Sequence, residues 1–170
     1  MLKNAKKSRF LSFPKIAPIL RGTTSPSGEI FRNHRAETQG RRDMTENKIG
    51  TIVVECAIAI HRETGPGLLE SVYETILARE LELQGLDVKR QVPIPIRYKD
   101  MIFDEGFRAD IVINDSVILE LKSVEKVTAA HKKQTQTYLR LTGCRLGYLL
   151  NFGEALMKNG ITRCVNGLPE

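Results

Sequence analysis

Residues 107 to 124 read FRADIVINDSVILELKSV, and the way this stretch doubles back decides the fold. Ile111, Val112 and Ile113, then Val117, Ile118 and Leu119, supply the β-branched and apolar content of two strands. Asn114-Asp115-Ser116 supplies the turn chemistry between them. The stretch is therefore expected to be a β-hairpin. With residues 114 to 116 in the turn, Ile113 faces Val117, Val112 faces Ile118, Ile111 faces Leu119, and Asp110 stands opposite Glu120. Cross-strand partners share a face with Cβ atoms roughly 4.5–5.5 Å apart, and the two-residue period brings Lys122 to the face that carries Glu120. A turn shorter by one residue would pair Asp110 with Leu119 and send Glu120 to the other face, dispersing the cluster.

Two carboxylates that close repel unless they share a proton or bind a cation. Such a pair with a lysine beside it is what metal-assisted hydrolysis requires. A hard ion such as Mg2+ takes one or two carboxylates, keeps several waters, and lowers the pKa of a water able to attack phosphorus. The lysine can orient that nucleophile or offset charge building on the phosphate. The same short pattern also fits a bland arrangement, in which Asp110 ends a strand and Glu120 and Lys122 form a surface pair on a half-exposed sheet. From spacing alone both readings stand.

The 170 residues fit one domain with some extra chain, and no apolar run approaches the length of a membrane span. Cys56, Cys144 and Cys164 are widely spaced, without CxxC or Cys/His ligand patterns, and lie among apolar neighbours. They read as small buried thiols in a reducing, cytoplasmic setting. Charge is unevenly placed. Residues 1–43 carry ten basic side chains against Glu29, Glu37 and Asp43, a net of +7, and subtracting this from the chain's +6 leaves residues 44–170 at −1. A broad basic nucleic-acid face on the domain is therefore not implied.

Residues 1–43 combine little apolar periodicity with Pro14, Pro18, Pro26 and scattered arginines, and read as a basic, disordered extension. Three accounts of it compete: an electrostatic arm for nucleic acid, an organelle-type targeting peptide, or sequence upstream of a true start at Met44. Organised sequence begins just after Met44, which favours the last and sets the domain at 44–170. From Asn47 to about Glu63, Ile49, Ile52, Val53, Cys56 and Ile60 recur at helical spacing behind a cap at Thr45. Gly65-Pro66-Gly67 separates this helix from a second, from Leu68 to Gln84, closed by Gly85. Leu69, Val72, Ile76 and Leu83 are expected to face its core, leaving Glu70, Tyr73, Glu74 and Leu77 on another face. Glu70 in the first turn is favourable against the helix dipole whether or not it does anything else.

Residues 87–98 look extended, with Pro93 and Pro95 marking an edge strand. Lys99-Asp100 is a turn leading to a strand from Phe103 to Ile113. Thr128 caps a helix to Thr142, ended by Gly143, that places His131, Gln134 and Tyr138 on one face. A buried strand from Arg145 to Phe152 and a short one from Ile161 to Val165 complete the chain.

The order helix, three strands, helix, strand resembles the core of the PD-(D/E)XK nuclease superfamily. Within it, Gly67-Leu-Leu-Glu70-Ser-Val-Tyr73 is similar to the naming motif of the GxxExxY proteins. The HRETGPG segment before it, DEGFRAD at 104–110, the Glu120-Leu121-Lys122 triplet, HxxQxxxY through His131, Gln134 and Tyr138, and Leu150-Asn151-Phe152 follow in order over about residues 46 to 168. The resemblance does not reach the basic extension. It implies an α/β (α+β) fold with a restriction-endonuclease-like core, αβββαβ, in which a mixed central sheet is flanked by helices. It further implies metal carboxylates at Asp110 and Glu120 with Glu70 assisting, an active-site lysine at Lys122, and Gln134, Tyr138 and His131 lining the cleft for substrate. The superfamily's proline before the motif aspartate is replaced here by Ala109. The expected activity is phosphodiester hydrolysis with Mg2+ or Mn2+ on a nucleic acid, without a membrane. The alternatives are a nucleic-acid-binding or regulatory module that has lost turnover, and a small subunit docking on a larger partner. Intact Asp110, Glu120 and Lys122 favour catalysis over both.

Overall fold

The computed structural model describes residues 44–168, apart from the side chains at 97, 104 and 105, so the reading of residues 1–43 lies outside the described residues. Helix α1 spans Glu46–Thr64 and α2 spans Glu70–Leu83. They are followed by β1 Val88–Tyr98, β2 Met101–Ile113 and β3 Val117–Lys122, then α3 Ala129–Thr142, β4 Leu146–Asn151, the short α4 Met157–Gly160 and β5 Ile161–Val165. Thr45 caps α1 by accepting from the Lys48 N–H. Thr128 caps α3, and Gly143 closes it in the left-handed conformation that glycine adopts without strain. The structure adds α4, whose four residues are too few for a periodic signal.

The described strands form one sheet in the order β1-β2-β3-β4-β5. The pairs β1–β2, β2–β3 and β4–β5 are antiparallel, and β3–β4 is parallel with α3 as the crossover. This is a mixed α/β architecture of the restriction-endonuclease-like kind. Helices α1 and α2 cover one sheet face through Ile49, Val53, Tyr73, Leu77, Ile111, Leu119, Leu121 and Phe152. Helix α3 covers the other, packing Tyr138 and Leu139 with Ile94, Val112 and Ile118. Strands β3 and β4 are buried on both sides, which accounts for their nearly unbroken apolar runs.

Two features depart from the sequence expectation. Leu69, Val72 and Leu83 do not face the core; they are 74%, 39% and 61% exposed. The buried stripe of α2 is instead Tyr73, Leu77, Ala78 and Leu81, and it carries Glu70 and Glu74 with it. Both stripes have helical spacing, so periodicity cannot choose between them. Tyr73 decides the choice by stacking on Phe152 at 4.3 Å between ring centroids. Fully burying Tyr73, Leu77 and Leu81 is worth about 1.5–3 kcal/mol each, which outweighs bringing along two carboxylates that both find cationic partners. The second departure is Cys144, which is half-exposed in the loop before β4, whereas Cys56 and Cys164 are buried; all three are free.

The hairpin register is 111–119, 112–118 and 113–117, with Asn114 and Asp115 in the left-handed region that tight turns require. The β1–β2 ladder is broken between Arg90–Ile111 and Val92–Ala109, where Gln91 has φ 52°. A non-glycine residue held there costs about 1–3 kcal/mol. Across this break both strands change sides: Val88 and Ile111 pack with the α1/α2 core, while Val92 and Ala109 pack with the α3 core.

Candidate active site

The motif residues around Gly67 form an interlocked loop that delivers Glu70. Gly65 and Gly67 have φ 68° and 107°, positions at which a side chain would be strained. The Tyr73 hydroxyl donates to the Gly65 carbonyl at 2.6 Å and accepts from the Leu68 N–H at 3.3 Å. Ser123, directly after Lys122, donates to the Leu68 carbonyl at 2.8 Å. The loop is thereby tied to the end of β3, and Glu70 begins α2 within reach of Lys122. Asn151 clamps the same end of the sheet. Its Oδ1 accepts from Val124 N at 3.0 Å and Gly153 N at 3.2 Å, and its Nδ2 donates to the Val124 carbonyl at 2.8 Å.

At the hairpin end the ladder stops at Ile111–Leu119, one pair short of Asp110 and Glu120. The Leu121 N–H released there donates to Asp110 Oδ2 at 2.7 Å, fixing the carboxylate against β3. Lys122 Nζ lies among oxygens, donating to Glu120 Oε1 at 2.7 Å, to the Leu121 carbonyl at 2.7 Å and, at the long limit of 3.5 Å, to Glu70 Oε1. Asp110, Glu120, Lys122 and Glu70 are thus brought together. Glu70 meets the pair through the ammonium; among the described residues no group of three or more His, Cys, Asp or Glu side chains forms a ready-made metal cage.

Electrostatics follow from the burial. Desolvation pushes Glu120 up from 4.5 to about 7, against the hydrogen bond from Lys122 and with the help of the nearby Asp110 charge. Burial also raises Asp110, partly opposed by the Leu121 N–H and by Lys122. Burial alone would depress Lys122, but its hydrogen bond to Glu120 and the surrounding carboxylates raise it instead. Glu120 Oε2 is buried and, among the described residues, has no hydrogen-bond partner. An orphaned carboxylate oxygen near a second carboxylate fits a hard divalent cation, which takes oxygen ligands and fills the rest of its shell with water.

Helix α3 contributes from the other face. The Gln134 amide donates to the Tyr138 hydroxyl, and Tyr138 is raised by burial, against that hydrogen bond, with a further contribution from the charges of Glu120 and Asp110. Phe107 meets the Tyr138 ring edge-on at 5.3 Å. His131 is engaged differently: its Nδ1 accepts from the Thr128 N–H at 3.3 Å while its backbone N–H donates to the Thr128 hydroxyl at 3.4 Å, a capping box that starts α3.

Sequence reasoning passed over Glu74, Arg90 and Gln91. Glu74 is buried, with Oε1 accepting from Arg90 Nε at 2.8 Å and Oε2 from Gln91 Nε2 at 2.8 Å. Its spacing of one helical turn from Glu70 is a signal visible in the chain. Nothing local announces Gln91, because its importance arises from the break in the ladder.

Residues 47–164 match the profile of the PD-(D/E)XK nuclease superfamily, and the chain belongs to that superfamily. No curated protein and no solved structure matches it. Among the described residues no helix is long and apolar enough to cross a membrane.

Proposed function

We propose that the chain is a nuclease that hydrolyses phosphodiester bonds with Mg2+ or Mn2+, and that it is one of the GxxExxY proteins within its superfamily. The observation that carries the proposal is Glu120 Oε2, a buried acceptor without a partner among the described residues, near the half-buried Asp110 carboxylate. A structural ion pair would satisfy that oxygen or leave it to solvent; a cation ligand has to keep it free. Asp110 and Glu120 are the ligands, with Glu70 helping directly or through water. When bound, the ion polarises a phosphoryl oxygen and lowers the pKa of a water. Lys122, held between Glu120 and Glu70, orients the attacking water or offsets charge on the phosphate. Gln134, held by the buried Tyr138 hydroxyl, offers its amide to a nucleotide or phosphate near the carboxylates, and His131 borders the cleft as a cap. The GxxExxY reading is supported by the way Gly67, Glu70 and Tyr73 act as one unit, the tyrosine fastening the loop that the glycines bend. The free cysteines suit a reducing cytoplasm.

A cleavage panel of single-stranded, duplex and branched DNA and of RNA, with Mg2+ or Mn2+, tests this. Cleavage of at least one class, lost with chelator and in Lys122→Ala, is expected. No cleavage of any class, or cleavage that Lys122→Ala retains, overturns it.

A further inference from the structure

We infer that Gln91 is a positioning residue for Asp110, its side-chain amide braced by Glu74 so that the aspartate carboxylate is held ready for a divalent cation. The inference rests on the metal-site reading above. Gln91 Nε2 donates to Glu74 Oε2 at 2.8 Å and points its remaining hydrogen toward Asp110 Oδ1, 3.5 Å away. Both neighbours are carboxylate acceptors, so the nitrogen of the amide, and not its oxygen, must face them. Glu74 is itself fixed by Arg90, whose Nη2 also donates to Thr75 at 2.9 Å. A chain of contacts therefore runs from Arg90 through Glu74 and Gln91 to one oxygen of Asp110, while the Leu121 N–H holds the other.

The backbone is arranged to make this possible. An extended Gln91 would pair with Asp110 across the β1–β2 ladder; instead it takes φ 52°, and its freed carbonyl accepts from Arg108 Nη1 at 3.0 Å. Strain of this kind persists only where the surroundings over-determine it, and here it lies beside the candidate ligand.

Gln91→Gly separates the two roles, since glycine adopts the left-handed conformation freely but has no amide. Calorimetric Mn2+ titration and a metal-free melt are compared for wild type, Gln91→Gly, Gln91→Asn and Asp110→Asn. The expected result is a metal-free Tm for Gln91→Gly equal to or above wild type, with Mn2+ affinity weakened about 10-fold, the size typical for partners of metal ligands. Gln91→Asn, which tolerates the backbone but has a shorter reach, shows the same weakening. Mn2+ affinity within about twofold of wild type in both Gln91 variants, with binding abolished in Asp110→Asn, overturns the role of Gln91 and leaves the metal site intact. Wild type that binds no Mn2+ overturns the metal site and this inference together.

Discussion

Replacing Glu120 by Gln should make the metal-free protein more stable at alkaline pH. Glu120 titrates near 4.5 when unfolded and at about 7 when folded, chiefly because burial penalises its charge. Below pH 4.5 both states hold the proton and the stabilisation is fully present. Between 4.5 and 7 the folded state keeps a proton that the unfolded state releases, so stability falls as pH rises; above 7 the loss is complete. The interval corresponds to on the order of 3 kcal/mol. The glutamine amide of the variant cannot ionise, but Lys122 then loses its charged partner and keeps the Leu121 carbonyl and Glu70. The remaining net gain is on the order of 1–2 kcal/mol, or roughly 3–8 °C for a domain of this size. Thermal melts followed by circular dichroism in chelator should therefore place Glu120→Gln above wild type at pH 8, with the difference vanishing near pH 5, where Glu120 is already neutral. A variant less stable than wild type at pH 8, or a difference equal at both pH values, would refute the dominance of desolvation over the Lys122 ion pair at this position.

Tyr73→Phe keeps the ring on Phe152 but removes the bonds to Gly65 and Leu68, and should cost about 1–2 kcal/mol in denaturant unfolding. Asn151→Ala removes three hydrogen bonds at a fully buried position and should cost about 2–4 kcal/mol by the same measurement. Gly153→Ala should be destabilised by about 1–3 kcal/mol in its melt, because an added Cβ would collide with the Val124 backbone.

Much of the fold was legible because local chemistry and tertiary structure agree. Asn114 to Ser116 set the hairpin register that the structure adopts, Thr128 and Gly143 bracket α3, and Pro93 and Pro95 lie on an edge strand. The face of α2 was not legible, since two apolar stripes have equal periodicity and the choice depends on Phe152, far away in the chain. At the site, the two-residue period brought Lys122 beside Glu120, and the register led up to Asp110 without reaching it. The Leu121 N–H on Asp110 and the Glu74–Gln91 brace followed from neither, because both exist only where the ladder fails, and alternation rules assume that it continues. His131 shares a helix face with Gln134 and Tyr138, yet lies close enough to the helix start for capping to claim its ring.

The most direct measurement is the Mn2+-induced rise in Tm at pH 7.5 or so for wild type beside Asp110→Asn and Glu120→Gln. An ion held at 100 times its dissociation constant adds about 2.7 kcal/mol. A clear upward shift in wild type that is absent from both variants is the expected result. Equal shifts in all three proteins, or none in wild type, would contradict the convergence of the two carboxylates on one cation.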